Sequence, residues 1–88
     1  MKLILKQKAK MNQKFLLSFL EEVIASASDQ EKITLTIEDT ADTVSGWDSL
    51  VTVSIAAALN EELNIQLTID DFDNLTSVKS ILEMVSNL

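Results

Sequence analysis

Cysteine and histidine are absent from this chain of 88 residues, glycine and tryptophan occur once each, and no apolar run approaches the length of a membrane span. Without cysteine there are no disulfides, thiolate nucleophiles or thiolate metal sites, which fits a reducing compartment such as the cytoplasm. Without histidine the usual general base, the usual activator of a serine nucleophile and a common zinc ligand are also missing. A Ser/His/Asp triad cannot be built, and the residue set points away from an enzyme and from a metal site. The one aliphatic cluster near the start, Leu3 to Leu5, is too short for a signal-peptide core or a membrane helix.

What is present suffices for one small folded domain. Apolar residues make up 47% of the chain and charged residues 24%, a balance that favours a soluble globule over disorder. The net charge is −7, which repels phosphate backbones and makes nucleic acid a poor partner. Basic protein surfaces are the natural complement. The charge is uneven, because Lys2, Lys6, Lys8, Lys10 and Lys14 stand in a stretch without an acid, leaving two lysines against fourteen acids in the rest. Residues 1–11 are therefore expected to form a basic leader outside the fold, with Met11 as an alternative start, and residues 12–88 the domain. The first 14 residues hold no arginine or serine, unlike a transit peptide.

The apolar spacing predicts helices. Phe15, Leu16, Phe19, Leu20, Val23, Ile24 and Ala27 line one side of a helix over about 12–28, with Asn12 as its cap. Leu50, Val53, Ala56, Ala57, Leu59 and Leu63 suggest a second helix over 49–63. Asp70 to Leu75 reads as one short helical turn, and Val78, Ile81, Leu82 and Val85 as a last helix capped by Thr76 or Ser77. Ile33–Ile37 (ITLTI) and Ile65–Ile69 (IQLTI) alternate as strands do. Both are short and lack a hairpin turn, so extended loops that dip aliphatics into a helical core are the better reading. The expected architecture is all-α, a four-helix bundle of three longer helices and one short one, with a long loop between the first two. A loop of that length argues for a function in it, and no internal repeat is expected.

The single glycine and the single tryptophan stand together in GWDSL, residues 46–50. Gly46 supplies the backbone freedom for the turn into the second helix, and Asp48 and Ser49 offer oxygens to its first turn. Ser49 has two readings: a helix cap worth roughly 1 kcal/mol, or an exposed hydroxyl that carries a group. A phosphodiester there would sit at the positive end of the helix dipole.

The chain resembles the acyl carrier proteins in Asp48-Ser49-Leu50, in the following VTVSIAAALNEELNIQL and in DDFDNLTSVKSILEMV. The likeness covers about residues 12–88. It implies a four-helix bundle with a long ordered loop, and it implies that Ser49 carries a 4′-phosphopantetheine arm transferred from coenzyme A by a magnesium-dependent phosphopantetheinyl transferase. Asp48 and Leu50 complete the motif. The implied protein is a non-catalytic, cytoplasmic, monomeric carrier that holds an acyl group as a thioester. It would present that group to acyl-transferring or condensing enzymes, of fatty acid, polyketide or related lipid metabolism, that have basic docking surfaces. The resemblance also allows an acyl chain to fold between the helices near Ala56, Ala57 and Ala58, although close helix packing is the plainer reading of those alanines.

Three features depart from the family pattern or add to it. Fatty-acid carriers commonly place acids where this chain has Val51 and Ser54, which points to specialised partners. Acids at 51 and 54 would then restore the common pattern without loss of stability. Trp47, Val51, Ser54, Glu61 and Glu62 are the expected partner-binding residues, with a buried loop plug as the alternative for Trp47. Asp71 and Asp73 begin an EF-hand-like spacing that fails at Leu75, Thr76 and Leu82. Two other readings stay open: a peptidyl or aminoacyl carrier with the same arm, and an unmodified acidic helical adaptor.

Overall fold

The computed structural model describes residues 13–86. Helices α1 (Gln13–Ala27) and α2 (Ser49–Leu63) are followed by a 3-10 helix (Ile69–Thr76) and α3 (Val78–Ser86), with no strand among the described residues. The chain is thus the all-α bundle that the periodicity predicts. Asn12 as a cap and the basic leader lie outside the described residues.

Both long helices end without glycine. Asp29 after α1 and Asn64 after α2 take left-handed backbone at φ 59° and 57°, a conformation that short polar side chains tolerate better than others. The N–H groups of Gln30 and Ile65 then reach back to the carbonyls of Ala25 and Leu59, at 2.8 and 3.1 Å.

The two alternating segments are loops, and they share more than alternation. In Thr36-Ile37-Glu38-Asp39 and in Thr68-Ile69-Asp70-Asp71, the threonine N–H donates to the aspartate carboxylate at 2.8 Å and the threonine hydroxyl donates at 3.2 Å. The two Thr-to-Asp turns share this hydrogen-bond pattern, and in the second it forms a capping box. The second turn opens the 3-10 helix. The first is stitched across the molecule, since Ala41 N–H donates to the Thr76 carbonyl at 2.8 Å and Val78 N–H to that of Asp39 at 3.0 Å. These bonds order the long loop. Ser77 caps α3, its hydroxyl accepting from Ser80 N–H at 3.1 Å.

The core takes Leu16, Leu20 and Ile24 from α1, Val51, Ile55 and Leu59 from α2, and Val78, Ile81 and Val85 from α3. Leu35, Trp47 and Ile65 close it from the connecting segments and Leu75 from the 3-10 helix. Two helix faces differ from the expected ones. On α1, Phe15 is 48% exposed and stacks on Phe19 at 6.4 Å between ring centroids, at the flank of the buried stripe. On α2 the expected face included Leu50 and Val53, which are 77% and 52% exposed, while Val51, Thr52 and Ile55 point inward. The first twelve residues of α2, SLVTVSIAAALN, carry no charge, so apolar side chains occur all round the helix and periodicity cannot phase it.

Candidate functional site

The loop leaves α1, crosses the molecule and returns to α2 through Val44-Ser45-Gly46-Trp47-Asp48. Gly46 has φ 91°, and a Cβ there would stand 2.6 Å from Gln30 Nε2 and 2.9 Å from Ser28 Cβ. Both the backbone angle and the space demand glycine. Gln30 Nε2 donates to Ser45 O at 2.9 Å and to Ser28 Oγ at 2.8 Å, which ties the turn to the end of α1. Trp47 follows as a plug in the core, 4% exposed.

Asp48 is the cap of α2. Its Oδ1 accepts Val51 N–H at 3.0 Å, and its carbonyl accepts Thr52 N–H at 2.9 Å. The capping role that the sequence leaves open between Asp48 and Ser49 therefore falls to Asp48. Ser49 is the first residue of α2; it is exposed, and its hydroxyl makes no hydrogen bond among the described residues. The N–H groups of Ser49 and Leu50 are also unbonded among the described residues, and they lie at the positive end of the helix. A free hydroxyl beside free amide donors suits a phosphodiester.

The family described as phosphopantetheine attachment site matches residues 18–85 of the chain. The chain belongs to that family. It is a carrier domain whose prosthetic group is 4′-phosphopantetheine. No curated protein and no solved structure matches it.

Of the expected partner-binding residues, Glu61 and Glu62 are exposed at the far end of α2 and Ser54 is half-buried. Trp47 and Val51, at 4% and 2% exposure, are core residues in this structure; for Trp47 this is the buried plug that the sequence allows as the alternative, and for Val51 it differs from the exposed face expected of it. Leu50 and Val53, in the first turns of α2 beside Ser49, are the exposed apolar side chains there. No period in the sequence could have revealed this, because the first twelve residues of α2 carry no charge and have apolar side chains on every side.

Ala56 is buried in the core and Ala57 faces solvent, while an open groove of about 350 Å³ between α1 and α2 is lined by Glu22, Val23, Ser26, Ala27, Ser54 and Glu62. Asp71 is occupied by its own turn, and no group of three metal-binding side chains is assembled among the described residues. Among those residues, no helix is long and apolar enough to cross a membrane.

Proposed function

We propose that Ser49 is the attachment residue and that the protein is an acyl carrier. One observation carries the reading: in the Asp48-Ser49-Leu50 motif the aspartate alone caps α2, leaving the serine hydroxyl exposed and uncommitted. In the loading reaction that hydroxyl attacks the pantetheine-bearing phosphorus of coenzyme A. An oxygen–phosphorus bond forms, the pyrophosphate bond to the nucleotide breaks, and the proton passes to the transferase. The arm supplies a thiol that holds an acyl group as a thioester.

The chain's own part is to present and to dock. Asp48 sets the helix start, the N–H groups of Ser49 and Leu50 would face a phosphodiester on the serine, and Leu50 and Val53 would offer an apolar contact beside it. Glu61 and Glu62 lie twelve and thirteen residues further along α2, about 18–20 Å at the helical rise, where basic groups of a partner would meet them. Partners of this kind are the phosphopantetheinyl transferase and the acyl-transferring or condensing enzymes of fatty acid, polyketide or related biosynthesis. The carrier itself performs no catalysis, and acts as a cytoplasmic monomer.

A peptidyl or aminoacyl cargo is the second reading. It is favoured by the groove between α1 and α2, whose rim carries the Glu22 and Glu62 carboxylates, neither of them in an ion pair among the described residues. An amine-bearing cargo complements such a rim better than a bare hydrocarbon chain does.

Incubation with coenzyme A, magnesium and a broad-specificity transferase tests the attachment. One phosphopantetheine mass increment is expected on the parent and none on Ser49→Ala, whose helical signal stays intact. Modification that persists in Ser49→Ala, with the label on Ser45 or Ser54, would refute the assignment. Loading with acyl and aminoacyl groups in turn then separates the two cargo readings.

A further inference from the structure

We infer that Trp47 and Thr52 are a positioning pair for Ser49, joined by a hydrogen bond that spans the serine; this rests on Ser49 being the attachment residue. Trp47 Nε1 donates to Thr52 Oγ1 at 3.3 Å, from two residues before the serine to three residues after it. Inside that span lies the Asp48 cap, with Val51 N–H on Asp48 Oδ1 at 3.0 Å. Outside it, Trp47 N–H donates to the Val44 carbonyl at 3.2 Å and Gln30 holds the Ser45 carbonyl at 2.9 Å. The Ser49 hydroxyl makes no hydrogen bond among the described residues, so its place follows the backbone that these nested bonds and the packing of α2 hold.

Thr52 needs an explanation that packing does not supply. It is 8% exposed and is the one buried polar side chain among the described residues. Valine would fill nearly the same volume without burying a hydroxyl, and an unpartnered hydroxyl in a core is costly. The indole N–H is the partner that makes threonine acceptable, and the hydroxyl is what makes a buried tryptophan acceptable in turn. Phenylalanine with valine would plug the core equally well. What that apolar pair would lack is a directional link across the serine, which holds the first turn of α2 at one angle to the incoming loop. Phosphoryl transfer depends on in-line approach, and a displacement of about 1 Å can reduce such rates by as much as a hundredfold.

The test uses the full chain as substrate of a phosphopantetheinyl transferase, with kcat and KM for the carrier and melting measured together. Thr52→Val keeps the volume and loses the acceptor. It is expected to lower kcat about tenfold while KM, set by the unchanged docking surface, stays within about twofold. Thr52→Ser keeps the acceptor and loses a methyl group, so it melts lower than the parent yet loads at close to the parent kcat. A role in packing alone gives the opposite order, with serine slower than valine. Trp47→Phe removes the donor, and is expected to match the kcat loss of Thr52→Val and to add nothing when combined with it. Parent-like kcat in Thr52→Val or in Trp47→Phe, with Ser49→Ala unmodified, overturns the positioning role alone. Loading of Ser49→Ala overturns both this inference and the attachment reading.

Discussion

At Gly46 a single added methyl group meets two independent penalties, and Gly46→Ala measures their sum. The first is conformational, because φ of 91° lies where side chains are rarely tolerated, at about 1–3 kcal/mol. The second is steric. The new Cβ would stand 2.6 Å from Gln30 Nε2 and 2.9 Å from Ser28 Cβ. The Gln30 amide can swing away, but it then loses its bond to the Ser45 carbonyl, worth about 1 kcal/mol. Ser28 Cβ is fixed to the end of α1 and cannot yield without moving the backbone. The expected loss is about 2–4 kcal/mol, which lowers Tm by roughly 10–25 °C in a domain of this size. Urea unfolding followed by helical circular dichroism measures it, with an unchanged slope as the sign that only stability has altered. Gln30→Ala supplies the control, since it removes the nearer clash in advance and the double variant should lose less than the sum of the singles. A loss below about 1 kcal/mol in Gly46→Ala would refute the reasoning.

Two further outcomes follow from the same structure. The Thr36 N–H, followed by the Thr43 hydroxyl, holds the Asp39 carboxyl below the ordinary carboxylate range. A depressed folded-state value means stability that is present above about pH 4 and lost as the pH falls through the lower folded value; Asp39→Asn should flatten the acid limb of a stability–pH curve, and an unchanged limb would count against the Asp39 clamp. Val51→Asp and Ser54→Glu, which the sequence alone treats as equivalent changes of docking charge, should separate. The first puts a carboxylate at a site 2% exposed, costing about 3–5 kcal/mol, while the second should fold like the parent and change only the salt dependence of partner turnover; equal melting of the two variants would contradict the burial of Val51.

The sequence by itself determined the number of helices, the limits of α2 and the identity of the serine at its start. Each of these rests on local physics: an apolar period of 3.6, an aspartate able to cap, a lone glycine before a helix. The same locality marked the loop residues Leu35 and Ile65 as apolar anchors without saying what they anchor. Only tertiary structure decided which side of α2 is inside, because a helix that is apolar all round takes its phase from its neighbours. That decision moved Val51 into the core and brought Leu50 and Val53 out beside the serine. It also decided the capping contest, since whether Asp48 or Ser49 holds the first turn depends on the angle at which Gly46 and Trp47 deliver the chain. That angle is set by Gln30 and Thr52, nineteen residues before the serine and three after it. Contacts over such separations leave no period in a sequence, and so the free hydroxyl of Ser49 is a property of the folded bundle.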